Sequence, residues 1–387
     1  MLRMYRFYKQ VKLTINRSYE QLIVYICHSK ISTCPMPSDF VTHPISKEQA
    51  LKLYQSASTQ TLMSMAMEMR YQIIPLKRVS WQIDRNVNIT NVCVSGCLFC
   101  NFHCTKHNHQ KAFITTIEEY RQKIDELRVF GGDQLLLQGG LHPDLDITFY
   151  ESLFHQLKTY APNIKLHALG PPEITHIASI SHLTPRTVLE RLHTAGLDSL
   201  PGAGAEILSD RVRKIISPGK PDTQSWLNVM HHAHQMGLIT SATMVFGHIE
   251  TLEERINHLI SLRELQAQKP NGAPGFLSFI CWPMCTQGTK LAHKELSPVE
   301  YLRTVAISRI VLYNIPNIQA SWLTVGVPTA QLSLFAGAND LGSIMIEENV
   351  LSSAGKNHRL DAAQMQEVIK RAGFEPWLRD QRYRERD

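Results

Sequence analysis

The sequence lacks any run of 18 or more apolar residues, the length that a helix needs to cross a membrane. We therefore predict no membrane span. It also lacks internal repeats and low-complexity tracts, and its hydrophobic fraction of 43% and charged fraction of 19% are typical of a soluble globular protein. The 387 residues are enough for one large barrel or two ordinary domains.

Excess charge is scarce outside the first residues of the chain. Residues 1–35 contain six Lys or Arg residues and one acid, which accounts for most of the net charge of +6. The remainder is nearly neutral, so we predict no nucleic-acid function. The apolar stretch 22–27 is too short for a signal-peptide core. We expect residues 1–40 to be a poorly packed, dispensable basic extension, with Met36 as a plausible true start.

The spacing of the cysteines is typical of metal ligands and not of a disulfide framework. Four of the eight cysteines lie within twelve residues, and Cys93, Cys97 and Cys100 are spaced C-x3-C-x2-C. A [4Fe–4S] cluster usually takes four thiolates, so three would leave one iron open to a substrate or cofactor. A zinc knot that uses Cys97, Cys100, His103 and Cys104 is the alternative, but it packs four ligands into eight residues.

The hydrophobic pattern after residue 78 alternates between strands and helices of 10–15 residues, which predicts parallel βαβ units. Strands are predicted at 79–89, 134–138, 164–169, 198–200, 240–246, 276–282, 318–325 and 343–346. Eight such strands indicate an α/β fold of the (β/α)8 TIM-barrel type over residues 79–350. A helical lead-in is predicted at 41–78 and a C-terminal helical extension at 351–387. A doubly wound sheet is the alternative, but the first strand is followed by cysteines and not by a glycine-rich dinucleotide turn.

Most candidate site residues follow directly after predicted strands, where a parallel barrel places its active site. These residues are Gly139, Gly140, His167, Glu173, Glu206, His248 and Trp282. Asn339 and Asp340 lie on a loop at the last predicted strand, which we also expect at the mouth. The glycine pair lets the backbone approach a ligand closely, two prolines fix the position of Glu173, and Trp282 offers an aromatic surface. Purely structural roles stay open at several positions: a tight turn for the glycines, a core position for His167, and helix-start acids for Glu206 and Glu250.

The cysteine spacing resembles that of the radical S-adenosylmethionine (SAM) superfamily. The resemblance implies that Cys93, Cys97 and Cys100 bind a [4Fe–4S] cluster whose open iron chelates SAM. One-electron cleavage of SAM then yields a 5′-deoxyadenosyl radical that abstracts hydrogen. The resemblance implies further cofactor contacts by Phe99, Gln138, Gly139, Gly140, Glu206 and Gly247. An oxygen-sensitive cluster also implies a reducing cytoplasm.

Longer stretches resemble the cyclic dehypoxanthine futalosine synthases, the radical SAM cyclases of the futalosine route to menaquinone. The similar stretches are 84–93, 167–174, 200–206, 243–254 and 337–349, and the resemblance covers roughly residues 45–385. It implies abstraction of the ribose C4′ hydrogen of dehypoxanthine futalosine, addition of the carbon radical to the attached aryl ring, and loss of one electron and one proton. Flavodoxin or ferredoxin is the expected electron donor.

The same resemblance suggests roles at the substrate. Glu206 and His248 are the candidate bases for the final proton. Substrate contacts are expected from His167, Glu173, Trp282 and Asn339, and Arg85, Asn88 and Thr90 are candidates for binding the substrate carboxylate. Aminofutalosine synthase and the deazaflavin-cofactor synthases share the Asp84-Arg-Asn start and stay as alternatives. A non-catalytic metal-binding or electron-transfer protein is the alternative of a different class.

Overall fold

The computed structural model describes residues 44–285, 287–291, 296–347 and 359–386. The basic extension expected at residues 1–40 lies outside the described residues. Among the helices that are described, none is both long and apolar enough to cross a bilayer.

The described residues contain a ten-stranded parallel sheet that curls into a barrel. The strands are β1 (Arg78–Gln82), β2 (Asp84–Asn88), β3 (Gln134–Gln138), β4 (Lys165–Ala168), β5 (Ser199–Leu200), β6 (Ile239–Phe246), β7 (Gly275–Pro283), β8 (Asn317–Ala320), β9 (Asp340–Ser343) and β10 (Glu375–Leu378). Their order in the sheet is β10-β1-β9-β8-β7-β6-β5-β4-β3-β2. Because neighbours from β3 to β9 are consecutive in the chain, each connection is a crossover to the adjacent strand with one or more helices between them.

The barrel closes where β1 continues into β2 as one extended run. Only Ile83 separates β1 from β2. The first half of the run pairs with β9 (Ser80 with Asp340) and the second half pairs with β3 (Asp84 with Gln134). The predicted TIM-type barrel is therefore confirmed. All five residues of β2 are buried, as expected for a strand with a packed layer on each face.

Helices cover the outside of the barrel. They are α1 (Lys47–Ser56), α2 (Thr59–Ile73), α3 (Ile117–Val129), α4 (Ile147–Tyr160), α5 (Pro171–Ile180), α6 (Pro185–Ala195), α7 (Asp210–Ile216), α8 (Thr223–Gln235), α9 (Leu252–Ala267), α10 (Pro298–Val311), α11 (Trp322–Val325), α12 (Val327–Ser333) and α13 (Ala362–Arg371). Their starts follow from local sequence. Thr116 and Thr251 each cap a helix reciprocally with a glutamate three residues later, and prolines begin α5, α6 and α10.

The end of the barrel differs from the sequence prediction in two strands. The strand predicted at 318–325 ends at Ala320, and the chain turns into α11, where Thr324 Oγ1 donates to Ser321 O at 3.1 Å. The last barrel strand covers Asp340–Ser343 and not 343–346. β10 was not predicted, because its four residues are too few to show the period of a strand.

Asn339 and Asp340 lie at the opposite end of the barrel from the predicted one, because the chain enters the last strand there. Both were expected on a loop at the mouth, but they lie at the amino end of the strand. The Asn339 amide is buried outside the cavity, where its Oδ1 accepts from Ile318 N at 2.9 Å and from Arg309 at 2.6 Å. Its side chain therefore joins strands to α10, which argues against contact with a substrate.

Candidate active site

Inward-facing side chains of the strands enclose a cavity of about 410 Å³. We call the carboxyl end of the strands the mouth and the amino end the floor. Phe99, Cys100 and Trp282 line the mouth, and Arg379 and Tyr383 line the floor. The cavity thus runs through the barrel, which is the position expected for an active site in this fold.

The predicted ligand cysteines lie on a loop that follows β2 at the mouth. Ser95 Oγ lies 3.0 Å from Cys93 Sγ and 3.3 Å from Cys97 Sγ, so one hydroxyl contacts two of the thiols. Leu141 N donates to Cys93 Sγ at 3.3 Å. All three cysteines are free thiols. A hydroxyl and a backbone N–H that face sulfur atoms suit a cluster ligated by thiolates, because such groups tune bound clusters.

Two glycines let other loops pack closely against the cysteine loop. A Cβ at Gly140 would lie 2.2 Å from Val92 O, and a Cβ at Gly219 would lie 2.6 Å from Ser95 Cα. Gly140 N donates to Thr90 O at 2.8 Å. The glycine pair at 139–140 was predicted to approach a ligand. The close approach that we observe is between Gly140 and the cysteine loop, so it positions the predicted ligands.

No set of three or more His, Cys, Asp or Glu side chains in the described residues is arranged to hold a single metal ion. The cysteine loop instead brings three thiols to the mouth beside charged groups. Three thiolates fit a polynuclear iron–sulfur cluster, in which each thiolate would bind a different iron atom. Cys93, Cys97 and Cys100 remain the predicted ligands.

Cys104 is not needed in that set. Its N–H donates to Asn91 O at 2.9 Å and its carbonyl accepts from Cys93 N at 3.0 Å, so its backbone fixes the loop. Cys281 is fully buried on β7, and burial raises the pKa of its thiol to about 12. Cys285 lines the cavity.

A compact group of charges lies between the cysteine loop and the end of β5. The Lys220 ammonium donates to Glu206 Oε1 at 2.6 Å, and an Arg213 nitrogen lies 3.6 Å from Glu206 Oε2. Lys220 also lies 5.5 Å from the centre of the Phe99 ring. Burial alone would lower the pKa of Lys220, but the charges of Cys97 and Glu206 outweigh it and raise that pKa.

Glu206 itself is held in an unusual conformation. It is 4% exposed, its φ is 39°, and its Oε2 has no hydrogen-bond partner in the described part of the chain. A non-glycine residue at positive φ is uncommon and occurs often at functional sites. It lines the cavity, as predicted from its place after the fourth predicted strand. Sequence reasoning missed Lys220, although the Pro218-Gly219 turn before it is a signal for a loop that packs closely.

Glu173 lies behind the mouth and not in the cavity lining. Burial raises the pKa of its carboxyl, and the backbone groups of Gly139 and Gly170 act in the opposite direction. The carboxyl group is therefore buried near the glycine turn that follows β3. Gln138, on the same turn, does line the cavity.

His167 and Trp282 both line the cavity, as the sequence predicted. His167 Nδ1 lies 2.7 Å from Ser199 Oγ, which in turn donates to Gln381 Oε1 at 2.7 Å. Burial, assisted by the charge of Arg379, lowers the pKa of His167 to about 4. The imidazole is therefore neutral near pH 7 and can donate or accept a hydrogen bond.

The turn after β6 holds its polar groups away from the cavity. Glu250 accepts from Gly247 N at 2.6 Å and from His248 N at 2.8 Å, and it pairs with Arg255 at 2.8 Å. The His248 side chain is fully buried, and its Nε2 lies 3.0 Å from Val245 O. The structure thus does not bring His248 to the other site residues, which argues against it as the base. Gly247 has a φ of 83°, as the turn requires.

The side chains proposed to bind a substrate carboxylate have other partners. Arg85 pairs with Glu126 and, at 3.0 Å, with Glu347. The Thr90 hydroxyl donates to Phe113 O at 2.6 Å. Arg85, Asn88 and Thr90 do not line the cavity. For Arg85 the reason is the strand period, since it projects from the opposite face of β2 to Asp84 and Asn86.

A polar group at the floor was not predicted. Asp84 Oδ2 accepts from Gln82 at 2.9 Å and from Gln134 at 3.3 Å. Arg379 donates to Asp340 at 2.8 Å and to Gln82 at 2.5 Å. Burial raises the pKa of Asp84. The strand period predicts that residues 82, 84 and 86 share a face. No local sequence pattern predicts that Arg379, in the C-terminal segment, reaches the same group.

Comparison with known proteins places this site in a family. Residues 87–262 match the model of the Radical SAM superfamily, and residues 273–387 match that of the CofH/MqnC C-terminal region. The chain is 39% identical over 342 residues to the cyclic dehypoxanthine futalosine synthase of Streptomyces coelicolor, covering 88% of this chain and 85% of that protein. It belongs to the radical SAM superfamily.

Two further relatives bear on which reaction this enzyme catalyses. The cyclic dehypoxanthine futalosine synthase of Halalkalibacterium halodurans is 39% identical over 88% of this chain and 90% of its own. The 5-amino-6-(D-ribitylamino)uracil–L-tyrosine 4-hydroxyphenyl transferase 2 of Methanosarcina barkeri is 37% identical over 87% of this chain and 88% of its own. The radical SAM enzyme described here is thus similar to members with two different reactions.

Solved structures support the fold. The HydG maturase of Carboxydothermus hydrogenoformans superposes with a TM-score of 0.70 at 16% identity, covering 99% of this chain and 84% of its own. Methylornithine synthase superposes with a TM-score of 0.65 at 18% identity, covering 87% of this chain and 96% of its own.

Membership of the superfamily settles three expectations from the sequence. This chain is an enzyme, so the alternative of a non-catalytic binding protein is excluded. Radical SAM enzymes use a [4Fe–4S] cluster and SAM, and both cofactors are assigned to this chain. The superfamily also removes the zinc knot as an explanation of the cysteine spacing.

Proposed function

We propose that this radical SAM enzyme converts dehypoxanthine futalosine to its cyclic form, a step in menaquinone formation. The observation that carries the proposal is the 39% identity, over most of both chains, to cyclic dehypoxanthine futalosine synthases from two organisms. The strand-end stretches at 167–174 and 337–349, which resemble those cyclases, support the same assignment.

The cavity offers surfaces suited to the two parts of such a substrate. Ile280, Trp282 and Met345 provide apolar contact for an aryl ring. His167 and Asp84, deeper in the barrel, provide polar groups for the sugar. Since the lining surrounds the substrate, water is kept from a reactive carbon centre, and the ring is held near the carbon atom to which it must bond.

At the mouth, Cys93, Cys97 and Cys100 would hold the cluster, and Phe99, Gln138 and Glu206 would contact SAM. When bound, these cofactors supply a 5′-deoxyadenosyl radical that removes a hydrogen atom from the substrate. Glu206 Oε2 lies 3.6 Å from an Arg213 nitrogen but makes no hydrogen bond to the described residues, so it can accept one at this position. Lys220 holds the other carboxylate oxygen, so the direction of Oε2 is fixed.

The final proton of the cyclisation needs a base, and Glu206 is the better placed of the two predicted candidates because it lines the cavity. A reducing electron donor such as flavodoxin or ferredoxin would serve the cluster. The enzyme would work in a reducing cytoplasm.

A second candidate reaction is transfer of the tyrosine side-chain group to 5-amino-6-(D-ribitylamino)uracil. Relatives named for this transfer are 36–38% identical to the chain, close to the value for the cyclases. Both reactions involve a substrate with a pentose-derived chain of hydroxyl groups.

Anaerobically reconstituted enzyme should be given SAM and a reductant with each substrate set, and the products read by mass. Cyclised product from dehypoxanthine futalosine supports the proposal. A coupled product from tyrosine and the ribitylaminouracil, with no cyclised product in the other reaction, would replace it with the transfer.

A further inference from the structure

Two residues of β2 that line the cavity each carry a buried oxygen atom with no hydrogen-bond partner among the described residues. The two oxygens are Asp84 Oδ1 and Asn86 Oδ1, on residues that are 3% and 4% exposed. The residues are two apart on one strand, so they project from the same face. Buried polar atoms are nearly always paired in native proteins, and an exception calls for an explanation.

The surroundings hold the Asp84 oxygen in place without satisfying it. Gln82 and Gln134 both donate to Oδ2, which fixes the plane of the carboxyl beside the cavity that Asp84 lines. The Arg379 guanidinium lies nearby, but its hydrogen bonds go to Asp340, Gln82 and Asp380 O. Within the described ranges, Oδ1 is therefore left without a protein donor.

The charges at the floor decide which ligand group fits. Asp84 and Asp340 place two carboxyl groups beside one guanidinium, and that guanidinium is already bonded to Asp340. A carboxylate or phosphate would meet excess negative charge there. A hydroxyl suits the position because it donates to an ionised carboxylate and can also accept from a protonated one.

The spacing suits more than one hydroxyl. Asp84 and Asn86 lie about 7 Å apart along the strand, a distance that neighbouring hydroxyls on a pentose can bridge with a hydrogen bond at each end. Asn86 is level with Leu136 on β3, which is level with His167 on β4. His167 is thus a third polar group in reach of the same sugar.

We propose that Asp84 and Asn86 bind the hydroxyl groups of the pentose-derived part of the substrate. The identity of that substrate rests on the proposed function. Because β2 runs from floor to mouth, sugar hydroxyls anchored at these residues leave the rest of the substrate directed towards Gln138 and Trp282. The two side chains would then determine which carbon atom faces the cofactors.

The test compares dehypoxanthine futalosine with an analogue in which one ribose hydroxyl is replaced by hydrogen. Dissociation constants are measured by calorimetry on reconstituted enzyme with SAM. Wild type should bind the deoxy analogue about 10- to 100-fold more weakly. The variant that removes the partner of the missing hydroxyl, either Asp84→Asn, which keeps an acceptor for the two glutamines, or Asn86→Ala, should lose most of that difference, and the other variant should keep it.

Ile280→Val is the matched control, since Ile280 lines the cavity but offers no hydrogen bond. It should weaken both ligands alike and keep the ratio. A purely structural role for Asn86 is checked by thermal unfolding. Because its Oδ1 makes no hydrogen bond to the described residues, Asn86→Ala should not lower the unfolding temperature beyond the change in Ile280→Val.

The proposal is overturned if wild type binds both ligands equally, or if Asp84→Asn and Asn86→Ala both keep the full ratio. It is also overturned if wild type binds neither ligand. A wild-type enzyme that shows the hydroxyl dependence but forms no cyclised product leaves the hydroxyl site standing and refutes the proposed cyclisation, so the two failures are separate.

Discussion

The ion pair between Arg379 and Asp340 joins the C-terminal segment to the floor of the barrel. The guanidinium donates to Asp340 Oδ2 at 2.8 Å, and the two side chains are 5% and 0% exposed. We predict that Arg379→Met destabilises the fold substantially, because it leaves a buried carboxylate without its cation. Removing one partner of a buried pair typically costs about 3–5 kcal/mol.

The surroundings of Asp340 place the effect near the lower end of that range. After the substitution its carboxylate still accepts from the Tyr383 hydroxyl at 2.7 Å and from Gly342 N at 3.0 Å. We therefore expect the free energy of unfolding to fall by about 3 kcal/mol. With an unfolding entropy of about 2.1 cal/mol/K per residue, a chain of this size should unfold about 4 °C lower.

The assay is a double-mutant cycle with Arg379→Met, Asp340→Asn and both together, followed by calorimetric or denaturant unfolding. The double variant removes both charges, so it should be less destabilised than the sum of the two single variants, with a coupling of at least about 1.5 kcal/mol. Additivity within about 0.5 kcal/mol would refute the reasoning, since contacting charges must couple.

Three further predictions concern the cofactor loop and acid stability. Cys97→Ala should abolish SAM cleavage while its circular dichroism spectrum stays native, and Cys104→Ala should retain cleavage. Loss of SAM cleavage in both variants would contradict the assigned ligands. Gly140→Ala should lower the iron content far more than Gly139→Ala, because its Cβ would lie 2.2 Å from a carbonyl oxygen rather than 3.1 Å from the nearest atom; equal iron content would contradict this. Burial lowers the pKa of His258 to about 3. The unfolded chain therefore binds that proton first, and stability should fall as the pH drops from about 6.5 towards 3; a pH-independent unfolding temperature over that window would contradict it.

The sequence predicted the barrel because periodicity and alternation are local signals. Its strand-end reasoning brought Glu206, His167 and Trp282 to the cavity, since each follows or lies in a strand whose end was correctly located. The prediction for Asn339 was wrong for a different reason. Asn339 precedes the last strand both as predicted and as observed, and a loop that enters a strand lies at the amino end of the barrel, away from the mouth.

Other site residues depend on contacts between distant parts of the chain. Lys220 reaches Glu206 because a loop after α7 packs on the cysteine loop. Arg379 reaches Asp340 because β10 joins β1. Periodicity contains no information on such pairs. His248 was misplaced because a histidine after a strand was taken to face the cavity, whereas its ring is buried against the turn.

The central claim is that the cavity presents the sugar of dehypoxanthine futalosine to a radical formed at the mouth. Substrate deuterated at the ribose C4′ position tests it most directly. Reconstituted enzyme with SAM and reductant should release 5′-deoxyadenosine that is one mass unit heavier, together with cyclised product. Unlabelled 5′-deoxyadenosine, or labelled material without cyclised product, would contradict the claim.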